Sequence, residues 1–578
     1  MKKIWHVAPK TEISILHQVL QNRGVAPADV ERFLSPVWGR DTFGHGEFTQ
    51  MPIAVERIFK ALSKGEPMVI HGDYDADGVS GTALLYTTLR DIAAKMGLPF
   101  SVRAFLPDRE RDGYGVAMHN VDAFAKDGVK LIVTVDCGIA NGLELERAHA
   151  HGMDAIVCDH HQMGQHYPHH AIILHPLAPG ETYPNKTLCG TGVSYKLCCA
   201  LIEEARKRGA DFSDGFEKWL LDLVAVATVT DVMPLLGENR TLEYFGLKVL
   251  QKTKRPGLRA IYELAGLKDE IDTETIGFRI GPRLNAAGRL ASAEIAFKTL
   301  AAETEEEALK YALELETLNK QRQSIFAESY KLAREQASGM LEGAQVLVVY
   351  SDTWLPGIVG LIAGRLVTEF GMPAFAMARA GEVVVGSGRS LGGLHLVEAM
   401  NSCGEIFLKR GGHPQACGLT LESPGHVEVF RDRVNVFAKN YFGEEGPKDK
   451  LVIDAELPLS EVSWELEKLL SSCAPFGEGN RPPMFLAKEI IVRDAIPMGA
   501  TGAHLRLVVE GADGARHRMI GFGFGHLIGE LKLGDRVDVV YEISINEWNG
   551  NRELQFKIVD LLASKEIKEF AAAERVDA

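Results

Sequence analysis

Three aspartates alternate in His71-Gly-Asp-Tyr-Asp-Ala-Asp-Gly78, directly after the apolar run Met68-Val-Ile70, and a second polar cluster, Asp159-His160-His161, follows another apolar run. Carboxylates and imidazoles without thiolates suit Mn²⁺ or Mg²⁺ better than structural zinc. If the extended geometry of a strand continued through the first run, Asp73, Asp75 and Asp77 would point to one side, where unpaired like charges repel. A bound cation would hold them together. By itself the run fits a solvated Asp/Gly turn as well as a metal site. An acid shared by two ions suits phosphoryl chemistry: the ions acidify a water and offset charge on the phosphate oxygens, with no protein nucleophile.

Distant residues must complete such a site. Leu131-Ile-Val-Thr-Val135 reads as a buried parallel strand that stops at Asp136-Cys-Gly138, and Ala155-Ile-Val-Cys158 reads likewise and stops at Asp159. In an open α/β sheet, ligands bind beyond the carboxyl ends of the strands, so these acids would meet on one rim. Asp231, which closes the apolar segment Leu223 to Val229, is a fourth candidate. For Asp159 alone, a helix cap is the simpler reading.

The ordered motifs carry a resemblance. Asp73-Tyr-Asp-Ala-Asp-Gly78 and Asp159-His-His161 are joined by Leu106-Pro-Asp-Arg109, Gly113-Tyr-Gly115, Val135-Asp-Cys-Gly-Ile139, Gly190-Thr-Gly192 and Gly281-Pro-Arg-Leu-Asn-Ala-Ala-Gly-Arg289. Gly386-Ser-Gly-Arg-Ser390, Gly411-Gly-His413 and Phe476-Gly-Glu-Gly-Asn480 follow. The set resembles the DHH phosphoesterase superfamily and, over nearly the whole chain, its RecJ family of single-strand-specific exonucleases.

The resemblance implies that Asp75, Asp77, Asp136, His160 and Asp231 ligate two ions of Mn²⁺ or Mg²⁺, with Asp136 as the bridge. His71 would be a further ligand or a supporting group, His161 would contact the scissile phosphate or orient His160, and Asp73 and Asp159 would support the ligands from behind. Arg109, Tyr114, Arg289, Arg389, Ser390, Gly412 and His413 would bind substrate, the arginines by gripping phosphates. Without the family, each arginine reads as a surface ion-pair partner. The implied activity is 5′ to 3′ hydrolysis of single-stranded DNA to 5′-mononucleotides in recombination and repair, with a single-strand-binding protein and a DNA helicase as partners. A phosphodiesterase acting on short oligoribonucleotides or signalling dinucleotides is the alternative. Two positions depart from the family pattern, His175-Pro176 in place of Asn-Pro and Leu355 in place of His in Trp354-Leu-Pro-Gly357.

The fold class implied is α/β: a parallel-sheet DHH phosphoesterase domain at 51–302, a connecting long helix at 303–340, and a smaller DHHA1-type α/β domain at 341–440. An N-terminal helical segment at 1–50 precedes them, and an OB-fold β-barrel at 449–562 and a tail at 563–578 follow. Periodicity supports the long helix from Thr304 to Ala337, an amphipathic helix from Gly78 to Met96, and short C-terminal strands separated by turns such as Asp513-Gly514 and Asn549-Gly550. That strand pattern fits other small β-barrels as well.

With 578 residues, 46% of them hydrophobic, the chain is globular and has several domains. No apolar stretch approaches the roughly 20 residues needed to span a bilayer, and the N-terminus lacks a signal-peptide core, so a cytoplasmic protein without membrane contact is expected. Eight cysteines without a Cys-x-x-Cys pair read as reduced core thiols. A net charge of −15 opposes general nucleic-acid binding. Basic groups at Arg279, Arg283 and Arg289, at Lys320, Arg322, Lys331 and Arg334, and at Lys409, Arg410 and His413 would form a narrow positive channel for one strand, or else are scattered solvated charges. The run His166-Tyr-Pro-His-His170 reads as a solvated loop rather than a zinc site.

Overall fold

The computed structural model describes residues 3–563 except 12–13, 269, 391–392, 444–445, 448–449 and 549–550. The expected turn at Asn549-Gly550 and the tail beyond 563 lie outside the described residues. The chain forms two units, one from residues 37–449 and one from 2–36 with 450–578.

In the first unit, strands β1 (Met68–Gly72), β2 (Val102–Phe105), β3 (Leu131–Val135), β4 (Asp154–Cys158) and β5 (Ile172–Leu174) form a parallel sheet in the order β2-β1-β3-β4-β5. β1 and β3 are buried along their whole length, which explains unbroken apolar runs instead of alternation. Their register matters for the site. Gly72 pairs with Val135 and Val135 with Cys158, so Asp73, Asp136 and Asp159 leave the sheet at one level.

One helix differs from the sequence reading, and a second accounts for an apolar run that the sequence leaves unassigned. α1 (Ala76–Met96) is buried on most sides, with Ala76 to Leu85 wholly inside, so it is a core helix rather than an amphipathic one. The segment before Asp231 forms α3 (Leu221–Thr230), buried from Leu221 to Thr228; a continuously apolar run carries no period, and burial on every side lets it be helical. Between them in sequence is α2 (Gly190–Lys207), followed later by α4 (Gly281–Leu290) and the long α5 (Glu305–Ser338). Thr304 caps α5 by accepting a hydrogen bond from the Glu307 amide at 3.2 Å. Beyond α5, β6 (Leu347–Ser351), β7 (Ala374–Ala380), β8 (Val383–Arg389), β9 (Phe407–Gly412) and β10 (Ala416–Leu421) make a mixed sheet in the order β9-β10-β8-β7-β6.

In the second unit, Met484–Met498 pairs with both His504–Glu510 and Arg536–Trp548, Arg516–Gly521 pairs with His504–Glu510 and with Asn551–Ala563, and the last pairs in turn with Arg536–Trp548. These pairings close a five-stranded barrel. The N-terminal segment contributes more than helices: Ile4–Val7 pairs in parallel with Lys450–Ile453. No disulfide joins any of the eight cysteines, and no helix among the described residues is long and apolar enough to cross a membrane.

One buried acid stands apart from the chemistry. Glu243, in the helix Gly237–Leu250, is fully buried, and neither carboxyl oxygen has a hydrogen-bond partner among the described residues. Burial raises its pKa well above the usual range. The folded chain therefore holds a proton that the unfolded chain releases, and stability falls as pH rises above the ordinary Glu value. Glu243→Gln should melt with the wild type near pH 4.5 and above it by pH 8, by up to about 1.4 kcal/mol per pH unit. Parallel melting temperatures across that range would contradict this.

Candidate metal centre

The chain does not stay extended after β1. It turns at Asp73 and Tyr74 and enters α1, whose cap is Asp75: one carboxylate oxygen accepts from the amides of Asp77 at 3.0 Å and Gly78 at 3.1 Å. Asp77 thus falls in the first helical turn, where the helix dipole favours an anion. A second helix end meets it there. The Gly190 and Thr191 amides at the start of α2 donate to the two oxygens of Asp77 at 2.7 and 2.8 Å. α4 braces the same loop, with Asn285 Oδ1 accepting from the Ala76 amide at 2.9 Å. A Cβ at Gly288 would lie 2.3 Å from the Tyr74 carbonyl oxygen, so only glycine permits this approach.

Asp136 follows β3 with φ +61°, a left-handed conformation rare outside glycine and found at strained functional positions. Its amide donates to the Cys158 carbonyl at 2.8 Å and its carbonyl accepts from the Tyr114 hydroxyl at 3.2 Å. His160 Nε2 lies 3.1 Å from Asp136 Oδ1, 3.4 Å from Asp231 Oδ2 and 3.9 Å from Asp77 Oδ2. Asp159 sits behind both histidines. Its Oδ1 accepts from the His160 and His161 amides at 2.7 and 3.1 Å and lies 2.9 Å from His161 Nδ1, while Oδ2 accepts from the Ile139 amide at 2.9 Å.

Among the described residues, three groups place three ligand atoms within 4.8 Å of one another: Asp136, His160 and His161; Asp77, His160 and Asp231; and Asp73, Asp75 and Asp136. Asp73 Oδ1, Asp136 Oδ1, His160 Nε2 and Asp231 Oδ2 are buried, and none has a hydrogen-bond partner there. Converging buried ligand atoms with no partner are costly in a protein and suited to a hard divalent cation. Burial, and then the neighbouring aspartates, raise Asp136 and Asp231 far above the usual carboxylate range. Burial, followed by the charge of His161, lowers His160 to about 4, so at neutral pH its ring is neutral and free to ligate. Burial also opposes charge on His161, but the Asp159 hydrogen bond prevails and raises it to about 9. A charged His161 suits a phosphate oxygen better than a metal.

The expected ligands Asp75, Asp77, Asp136, His160 and Asp231 all enter these groups, and so does Asp73, which was expected only behind them. His71 does not. Along β1, Met68 and Ile70 face one core and Val69 the other; His71 takes the side of Val69, with its ring 5.1 Å from Phe105 and 6.2 Å from Phe124. Its Nδ1 is 3.8 Å from Cys137 Sγ, and burial lowers its pKa to about 4.

The arginines overturn the surface ion-pair reading. Among the described residues, no carboxylate pairs with Arg109, Arg289, Arg322 or Arg389. Burial, then the charges of Arg109, Arg322 and Arg389, lower Arg289 to about 9. Its guanidinium donates to the Gly357 carbonyl at 3.0 Å, that of Arg389 to Ser387 Oγ at 2.9 Å and the Gly388 carbonyl at 2.7 Å, and that of Arg109 lies 4.7 Å from the Tyr74 ring centre. Arg289 also feels the charge of Asp75, but cations that pair with no carboxylate are suited to hold an anion. By contrast, Arg283 pairs with Glu316 and Arg334 with Glu369, so part of the basic clustering in the sequence is already neutralised.

Ser390 is buried with its hydroxyl unpaired among the described residues, Gly412 ends β9, and His413 Nδ1 lies 3.5 Å from Gln162 Nε2 beside the histidine pair. Burial and then the charge of His161 lower the His413 pKa. His175 explains one departure from the family pattern: its Nε2 lies 2.8 Å from the His161 carbonyl and its Nδ1 accepts from the Leu177 amide at 3.0 Å. Leu355 is exposed, and nothing in the structure explains it. The roles of Gly190, Thr191 and Asn285 were not assigned from sequence, although all three lie within the quoted motifs, and Arg322 was expected only as part of a positive channel.

Comparison with known proteins follows the same division. Residues 67–228 match the model of the DHH family, N-terminal domain, residues 343–440 the DHHA1 domain, and residues 453–560 the RecJ OB domain. The chain is 34% identical over 563 residues to the single-stranded-DNA-specific exonuclease RecJ of Bacillus subtilis, covering 97% of this chain and 69% of that one. It is 32% identical to RecJ of Escherichia coli, covering 87% and 89%. The crystal structure of RecJ in complex with Mn²⁺ from Thermus thermophilus superposes with a TM-score of 0.80 at 29% identity, covering 97% of this chain and 79% of that one.

Proposed function

The chain belongs to the RecJ family, and from that premise we propose that it is a metal-dependent exonuclease specific for single-stranded DNA, running 5′ to 3′ and releasing 5′-mononucleotides. The observation that carries this reading is the convergence of unpartnered buried ligand atoms from Asp73, Asp136, His160 and Asp231. Asp75, Asp77, Asp136, His160 and Asp231 would hold two ions of Mn²⁺ or Mg²⁺, with Asp136, which belongs to two of the three ligand groups, between them. When bound, these ions supply an acidified water and neutralise charge on the phosphate.

The chain's own groups do the rest. Asp159 holds both histidines by their amides and keeps His161 charged, so that His161 can donate to an oxygen of the scissile phosphate. Arg109, Arg289 and Arg389 hold phosphates, while Tyr114, Ser390, Gly412 and His413 line the approach. In this assignment residues 51–302 carry the catalytic domain, 341–440 bind substrate and 449–562 bind nucleic acid. The setting would be cytoplasmic recombination and repair, alongside a helicase and a single-strand-binding protein.

Labelled single strand, duplex and matched RNA incubated with Mn²⁺ test this reading. It predicts rapid metal-dependent loss of single-stranded DNA alone, and no cleavage of that strand would reject it. Arg389→Ala tests the phosphate grip: in EDTA, binding should weaken and the slope of log K against log salt should become shallower by about 0.7. An unchanged slope would remove Arg389 from the contacts.

A further inference from the structure

Two large apolar side chains stand in solvent on neighbouring elements, one next to Asp231 in sequence and one on the turn packed against the helix that Asp231 ends. Val232 is 62% exposed and Phe278 is 77% exposed. Val232 follows Asp231 at the end of α3 with φ +56°. The turn there is closed by the Val232 amide donating to the Val229 carbonyl at 3.1 Å and the Met233 amide to the Thr228 carbonyl at 3.0 Å. In this helix-ending arrangement the left-handed residue is ordinarily glycine. A β-branched residue is strained in that conformation, and here its side chain gains little from burial.

Phe278 occupies a single turn of π-helix, Ile276–Ile280, a distortion that is rare and frequent at functional sites. The turn packs on the end of α3: a Cβ at Gly281 would lie 2.4 Å from Thr230 Cγ2, and one at Gly277 would lie 4.0 Å from Val229 Cγ1. It runs directly into α4. Phe278 stands about two turns before Asn285, which hydrogen-bonds the metal-binding loop, and about three before Arg289, which belongs to the unpaired cationic group. Single exposed apolar residues need no explanation. Here two unusual backbone positions, on packed elements that also carry Asp231 and Arg289, each present an apolar side chain to solvent.

We propose that Phe278 and Val232 are positioning residues that hold the bases of a single strand beside the metal centre, Phe278 by stacking on a base and Val232 by contacting its edge. This rests on the exonuclease reading. Every base has a π-face, so such a contact tolerates sequence; in a duplex both faces of a base are covered by its neighbours, so the contact also selects a single strand.

The test uses the full-length protein with Mn²⁺ and a set of oligonucleotides in which one abasic nucleotide is moved along the strand. Phe278→Ala should lower kcat/KM about 5- to 150-fold, mainly through KM, and Phe278→Trp should restore it. One abasic position should lower the wild type by the same factor and cost Phe278→Ala nothing more. Val232→Gly should melt at a higher temperature, because its strain is relieved, yet show a raised KM. Wild-type kcat/KM in Phe278→Ala, or losses that simply multiply at every abasic position, would overturn the proposal. Failure of the wild type to cleave any single strand would instead remove the exonuclease reading itself.

Discussion

Asp136→Ala should leave a folded protein that binds single-stranded DNA and cleaves it about 10³-fold more slowly or worse. Asp136 is the one carboxylate that belongs to two of the three ligand groups, and its Oδ1 is 3.1 Å from His160 Nε2 and 3.8 Å from His161 Nδ1. Neither Asp75 nor Asp77 can replace it without leaving its own place, since Asp75 caps α1 and Asp77 is held by two amides of α2. Folding should survive. The carboxyl is buried, lies among other acids and has Oδ1 unpaired among the described residues, so removing it relieves repulsion in the metal-free chain. Single-turnover rates with Mn²⁺, together with melting in EDTA, test both halves. A rate within tenfold of wild type would contradict the bridging role.

Gly190→Ala should lower kcat about 10²-fold and weaken Mn²⁺ binding, although glycine 190 carries no chemical group. A Cβ there would lie 2.6 Å from both Cβ and Oδ1 of Asp136 and 2.7 Å from its Cα. Asp136 cannot easily retreat, because its amide is tied to the Cys158 carbonyl on β4. α2 must shift instead, stretching the 2.7 and 2.8 Å bonds from Gly190 and Thr191 that fix Asp77. One methyl group thus crowds one ligand, Asp136, and loosens another, Asp77. Gly192→Ala is the control: its Cβ would meet chiefly the end of the Leu188 side chain, at 3.2 Å, and near-normal activity is expected. Equal activity in the two variants would show that α2 does not set the geometry.

These two residues mark what the sequence discloses and what it withholds. The acids at the ends of β1, β3 and β4 were legible because a strand buried on both faces reads as an unbroken apolar run and its first polar residue stands out. The run before Asp231 marks the limit of that signal, since a run without period cannot distinguish a buried helix from a buried strand, and here it is the helix α3. His71, which the resemblance gives as a further ligand or a supporting group, lies on the Val69 side of β1 and outside the three ligand groups. The converging Asp73, Asp75 and Asp77 owe nothing to alternation; a strand-to-helix turn gathers them. Gly190 was quoted as part of a motif, but its closeness to Asp136 arises only when α2 packs on the sheet. The cationic group of Arg109, Arg289, Arg322 and Arg389 is likewise tertiary, because burial and the lack of acidic partners cannot be read from neighbours in sequence.

The most direct test is to titrate the metal-free protein with Mn²⁺, counting bound ions by electron paramagnetic resonance and measuring cleavage of a single-stranded oligonucleotide in the same samples. Two ions per chain should bind, cleavage should appear with the second, and Asp136→Ala should lose both the second ion and the cleavage. Full activity with one ion per chain, or two ions retained by Asp136→Ala, would contradict a two-metal centre bridged by Asp136.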